Sequence, residues 1–213
     1  MPLALLALTI GAFAIGTTEF VIVGLVPDIA EQLAISLPSA GLLVSIYALG
    51  VAIGAPVLTA LTGRMPRKQL LLALMALFTA GNLLAWQAPG YETLVLARLL
   101  TGLAHGVFFS IGSTIATSLV AKEKAASAIA IMFGGLTVAL VTGVPLGTFI
   151  GQHFGWRETF LAVSILGVIA LMSSLILVPN NIPGRVSAGL RAQLKVLTHP
   201  RLLIIYAITA PVS

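Results

Sequence analysis

A chain of 213 residues with 59% hydrophobic and 8% charged residues is far poorer in charge than soluble domains, which carry about 25%. Its mean hydropathy of +1.12 excludes a water-soluble globule and makes it an integral membrane protein. The net charge of +5 comes from cations at the ends of apolar runs, as membrane topology requires, and does not point to nucleic acid.

The first apolar run, 3–26, holds a single charge, Glu19. A carboxylate at that depth costs on the order of 2.5–3.5 kcal/mol by insertion scales. It therefore marks a proton or substrate site, unless it is a polar staple between helices. Ala12-Phe13-Ala14 imitates a signal-peptide cleavage site, but no basic segment precedes it and the apolar run continues to Val26, so the span is retained.

A short segment from Pro27 to Pro38, carrying Asp28 and Glu31, leads to a second span at 39–62. Tyr47 and Ser45 are its candidate cavity residues. The third span, 69–88, ends in Asn82, Trp86 and Gln87. Asn82 is a candidate cavity residue, whereas Trp86 reads as an interfacial belt residue.

The fourth span, 93–119, carries Arg98, Gly102 and His105 on nearly one helix face. Counted at 1.5 Å per residue, Arg98 and Glu19 lie about 8 and 10 Å from the same membrane surface. They are predicted to pair. Burial and a paired cation act on a carboxyl's proton in opposite senses, so a substrate that disturbs the pair would switch it; a permanent structural salt bridge is the alternative. His105 suits a proton relay or a substrate contact near neutral pH, and equally a hydrogen bond to a neighbouring helix.

The fifth and sixth spans are predicted at 127–150 and 159–178. A more polar stretch, 179–200, follows. The apolar run at 201–213 is too short to cross a bilayer, since about 20 residues are needed. A fragment, a frameshifted product or one half of a split protein is expected. Residues 1–178 would form a six-span unit, 179–200 a cytoplasmic connection and 201–213 the start of a seventh span.

Nine Lys and Arg fall in the even-numbered connections, against Arg157 alone in the odd ones. This places the N-terminus and the even connections in the cytoplasm. An internal repeat also shows. Gly54-Ala55-Pro56 is followed by Lys68, and Gly143-Val144-Pro145 by Arg157, each cation 12 residues after its proline. The two copies sit on spans of opposite direction, as in transporters built from two inverted three-helix units. Glycines at every fourth residue, Gly50/Gly54, Gly102/Gly106 and Gly143/Gly147/Gly151, predict close helix contacts. No phosphate-binding Gly-x-x-x-x-Gly-Lys run occurs, and no nucleophile–base arrangement points to an enzyme. The absence of Cys and the scatter of three His leave no metal-ligand spacing.

Gly16-Thr17-Thr18-Glu19-Phe20, then Pro27-Asp28-Ile29-Ala30, together with the span pattern, resemble the N-terminal half of a major facilitator superfamily transporter. The likeness is to the arabinose-efflux-permease-like group of the drug:proton antiporter branch, and it covers nearly the whole chain. The family's motif between helices 2 and 3, Gly-x-x-x-Asp-Arg-x-Gly-Arg-Arg, falls on 59–68. Arg64, Arg67 and Lys68 match it, while Thr59, Gly63 and Pro66 replace Gly, Asp and Gly. Gly63 thus stands where the acid of the charge relay between the two halves is expected. Arg98 and Gly102 match the helix 4 motif, whose arginine the resemblance implicates in proton coupling. Gly143, Pro145 and Gly147 match the helix 5 antiporter motif with one residue inserted before the proline.

The resemblance implies an all-α membrane fold of six transmembrane helices in two inverted three-helix repeats, with a partial seventh helix. It implies a secondary transporter of the bacterial inner membrane, driving efflux of a small sugar-like or drug-like solute with protons and no bound cofactor. Its partners would be the lipid bilayer, the solute, protons and a second six-helix half. Two other readings stay open: an inactive or regulatory half-transporter, and an uncoupled facilitator.

Overall fold

The computed structural model of the chain describes residues 3–62 and 65–182. The predicted connection at 179–200, past residue 182, and the partial seventh span at 201–213 lie outside the described residues, as do Gly63, Arg64 and the side chain of Thr59.

Among the described residues, six helical segments are long and apolar enough to cross a membrane. They are α1 (Leu3–Gln32), α2 (Leu37–Thr62), α3 (Arg67–Trp86), α4 (Tyr91–Ser118), a fifth span in three pieces, and α7 (Trp156–Leu177). The fifth span opens with a short 3₁₀ turn, Lys122–Lys124, and then runs through α5 (Ala125–Val138), a π turn (Ala139–Gly143) and α6 (Val144–Phe154).

Two expectations are corrected here. The first span does not stop before Pro27 but runs through it to Gln32. Proline removes one intrahelical bond without ending a helix whose neighbours hold it in place. The last turns bring Asp28 and Glu31 onto α1, and the chain then reverses at Ala34, whose φ is 51°. Ile35 N–H donates to the Ala30 carbonyl at 3.0 Å there, a closure typical of helix C-termini. The fifth span is also not one continuous α-helix. Pro145 has no N–H for the carbonyl four residues back and crowds it. The helix widens just before it, where Val144 N–H reaches back five residues to Ala139.

The packing repeats under exchange of the first three spans for the last three. α2 lies against α4, as α1 lies against the fifth span; α3 lies against α4, as α1 lies against α7; and α3 meets α7. Directions agree with inversion. α1 and α4 run antiparallel, with Leu8 near Gly112 and Thr18 bonded to Arg98. The repeated cations have matching tasks. Lys68 Nζ donates to the Leu175 carbonyl near the end of α7, and Arg157 Nη2 donates to the Ala88 carbonyl just past α3, both at 2.8 Å. Each repeat thus caps the last helix of the other. A cation on the negative end of a helix contributes about 0.3–1 kcal/mol at an exposed site.

The predicted glycine contacts form two seams. A Cβ on Gly50 would lie 2.7 Å from the Leu99 carbonyl oxygen, and one on Gly54 2.7 Å from that of Leu103. In return, Gly102 abuts the Tyr47 carbonyl and Gly106 that of Val51. In the other seam Gly143, Gly147 and Gly151 take the side chains of Thr17, Val21 and Leu25 in register. Lipid provides no hydrophobic drive between helices, so close backbone approach is what holds them.

The core is divided at mid-height. Leu8, Ile15, Phe78 and Phe108 belong to one apolar cluster, and Ile22, Leu43, Leu94 and Phe160 to another. Between them lies a buried polar layer of Thr17, Thr18, Asn82, Arg98 and Thr101.

Candidate functional site

Three consecutive residues of α1 build the site because each turns about 100° from the last. Thr17 faces Gly143. Thr18 faces the interior, where its hydroxyl donates to Asn82 Oδ1 at 2.8 Å and its carbonyl accepts from Arg98 Nη1 at 3.0 Å. Glu19 faces α4 at the open side, where Oε2 lies 3.8 Å from His105 Nδ1.

Arg98 is 1% exposed. Its Nε donates to the Leu43 carbonyl at 3.4 Å, and its guanidinium lies 4.1 Å from the Tyr47 ring centroid. A desolvated cation over an aromatic face is stabilised by about 2 kcal/mol. Arg98 Nη2 is buried without a hydrogen-bond partner.

Tyr47 joins this cation to the rest of the site. Its hydroxyl lies 2.9 Å from His105 Nδ1 while its ring carries Arg98. From His105 the aromatic contacts continue along α4 to Phe109, at 5.0 Å between centroids, and across to Phe133 of α5 at 4.9 Å. Phe133 is exposed. The Glu19 side chain is 27% exposed and that of His105 13%. Anything reaching the open side therefore meets the carboxylate and the imidazole before the guanidinium.

The predicted Glu19–Arg98 ion pair is not formed in this conformation; among the described residues Glu19 pairs within 4.0 Å with His105 instead. The depth estimate placed both residues in one layer, but Thr18 occupies the side of α1 that meets Arg98. Asn82 is also displaced from its expected place. It is 1% exposed, and its amide donates to the Phe78 carbonyl at 2.9 Å, so it braces the polar layer behind Thr18. Tyr47 and His105 do come together with Glu19. Trp86 Nε1 donates to Glu158 Oε1 at 3.4 Å, tying the end of α3 to the start of α7.

Of the conformational-motif residues, Lys68 serves as the cap described above. Arg67 opens α3, while Gly143, Pro145 and Gly147 shape the fifth span against α1. Thr18, Phe109 and Phe133 were not singled out from the sequence. Thr18 stands beside Glu19, and Phe109 follows His105 by one helical turn, so both carried a positional signal; Phe133 carried none. A separate cavity of about 330 Å³ lies away from this cluster, between Leu5, Leu119, Lys124 and Ile131. Its lining is mainly apolar and shares no residue with the Glu19 site. No group of three or more His, Asp or Glu suited to a metal occurs among the described residues.

A family profile described as "Major Facilitator Superfamily" matches residues 8–212. The chain is 49% identical over 203 residues to the inner membrane transport protein YdhP of Escherichia coli, covering 93% of this chain and 51% of that one. It is 37% identical over 216 residues to a chloramphenicol resistance protein of Streptomyces lividans, covering 100% of this chain and 55% of the other. Among solved structures, a peptide transporter POT in complex with sulfate superposes with a TM-score of 0.77 at 15% identity, over 100% of this chain and 47% of that one. The chain spans about half the length of the curated relatives it matches.

Proposed function

This chain belongs to the Major Facilitator Superfamily, and we propose that it supplies the N-terminal six-span half of a proton-coupled exporter of a small drug-like or sugar-like organic solute. The observation that carries the reading is Glu19, a carboxylate at mid-span that is partly exposed, lies beside His105 and stands one residue along α1 from the Thr18 that meets the buried Arg98. Intramembrane acids in such positions mark proton pathways. Glu19 is the proton acceptor in this reading. Arg98 is its switching partner, coupled through Tyr47 in the present conformation, and His105 lines the solute cavity. A relative named for chloramphenicol resistance supports export. The second six-span half, which the longer relatives have room for, would complete the cavity.

The test begins with an exporter-deficient bacterium carrying the transporter completed by this chain, grown against drugs, chloramphenicol among them, and sugar analogues. A compound tolerated better on expression should be retained less by the cells, and a protonophore should restore its retention. Efflux that ignores the protonophore would sink the coupling; a protective effect confined to sugar analogues would settle the solute class.

The N-terminus and the even connections lie in the cytoplasm in this proposal, and the protein resides in the inner membrane. The support is the nine-to-one distribution of cations and the naming of YdhP as an inner membrane transport protein. The chain has no Cys of its own, so Ser36→Cys and Met65→Cys each introduce a single label site. An impermeant maleimide applied to spheroplasts should modify position 36 and spare position 65. The reverse pattern overturns the orientation.

A further inference from the structure

We propose that Glu19 and His105 hold one proton between them, and that Tyr47 relays to Arg98 which of the two has it. This rests on the reading of Glu19 as a proton acceptor, makes His105 a second holder of the proton and gives Tyr47 its signal. The imidazole nitrogen facing the carboxylate is also the one that faces the phenol: Nδ1 is 3.8 Å from Glu19 Oε2 and 2.9 Å from Tyr47 Oη. The first separation is longer than a hydrogen bond, so transfer needs one bridging water or a tightening of the contact, which is common when a site closes on its ligand. His105 Nε2 has no hydrogen-bond partner among the described residues and is not among the sealed buried atoms.

Two arrangements follow, each with every proton accounted for. With the proton on Glu19, His105 is neutral and protonated at Nε2, and Tyr47 O–H donates to the Nδ1 lone pair. Once the Tyr47 O–H turns away and frees that lone pair, the proton passes from Oε2 to Nδ1, Glu19 becomes a carboxylate and His105 an imidazolium. Nδ1–H is then a donor, so the Tyr47 oxygen accepts and its own hydrogen stays turned away. The proton on Nε2 can leave to the open side, which restores a neutral imidazole, now protonated at Nδ1.

The Tyr47 ring lies under Arg98, so turning of the phenol O–H dipole is felt by a guanidinium whose Nη2 has no partner. The groups facing His105 are few. α1 contributes Glu19, α2 contributes Tyr47, and α4 itself carries Arg98 and Phe109; on the α5 side Phe133 packs on Phe109, and neither ring titrates. A second cation beside Arg98 is tolerable chiefly because Glu19 becomes an anion in the same step.

The test needs no solute. In lipid nanodiscs, the protonated carboxyl of Glu19 is followed by infrared difference spectroscopy and identified by its loss in Glu19→Gln. The ring nitrogens of His105 are followed by nitrogen NMR and identified by their loss in His105→Gln. A shared proton makes the titrations reciprocal. Glu19→Gln should move the His105 midpoint, and His105→Gln the Glu19 midpoint, equally and in opposite senses, by about one pH unit or more. Tyr47→Phe should alter the tautomer of neutral His105 while keeping both titrations. Midpoints that ignore the loss of the partner overturn the shared proton alone. A Glu19 carboxyl that never titrates overturns the proton-acceptor reading as well. Should His105→Gln fail to assemble, the Glu19→Gln arm decides by itself.

Discussion

Glu19→Gln should abolish efflux against a gradient while leaving the protein folded and solute exchange down a gradient intact. The glutamine keeps the size and much of the hydrogen bonding but cannot carry the proton. Stability should change little because Arg98 does not depend on this carboxylate. Its hydrogen bonds go to the carbonyls of Thr18 and Leu43, and its face rests on Tyr47. Arg98→Gln is the contrasting change. It removes two charge-assisted hydrogen bonds and a cation from the Tyr47 ring, a loss of about 3 kcal/mol or more, as each such bond contributes about 1.5–3 kcal/mol. Thermal unfolding in detergent alongside vesicle transport separates the two effects. If Glu19→Gln lowers stability as much as Arg98→Gln does, Glu19 is a structural brace. If proton-driven efflux survives in Glu19→Gln, Glu19 is not the coupling residue.

Gly102→Leu should prevent α2 and α4 from assembling. The new Cβ would land on the Tyr47 carbonyl, with the Gly50 Cα 3.2 Å away. Both neighbours are backbone, so no side chain can rotate out of the way. Overfilling a packed contact costs about 1–3 kcal/mol, and the value here should exceed that because a whole seam must open. Tyr47 would be carried away from His105 and Arg98 with it. Gly134→Ala is the control, since a Cβ there meets nothing within 4 Å and alanine is the better helix former by about 1 kcal/mol. The measurement is the yield of monodisperse protein after heating in detergent. A Gly102→Leu protein as stable as Gly134→Ala would show that the seam does not hold the bundle together.

Span number and approximate place were legible in the sequence because length and hydropathy are one-dimensional properties. The seams were legible for a similar reason: small residues four apart on a helix share a face. The end of α1 was not, since Pro27 marks a boundary in most soluble helices and here sits inside one. Nor was the π turn before Pro145, which depends on how the neighbouring backbone relaxes. The depth of Glu19 and Arg98 came out well enough, but depth says nothing about azimuth. A single residue of rotation gave Arg98 to Thr18 and Glu19 to His105. Phe133 illustrates the remaining limit, because an exposed phenylalanine in an apolar span has the same pattern whether it faces lipid or a ring on the next helix.

The crossed caps, Lys68 on α7 and Arg157 on α3, bear on how the chain is made. A membrane protein emerges from the ribosome one span at a time, so α3 enters the bilayer before Arg157 has been synthesised. Its last carbonyls then have water or lipid headgroups as their only partners. Lys68 has likewise no α7 to bind. A three-span intermediate is thus finished in sequence but unfinished at both surfaces, and only translation of the second repeat closes each end. The two repeats depend on each other for their ends, and this favours assembly of all six spans as one step over the maturation of either trio alone.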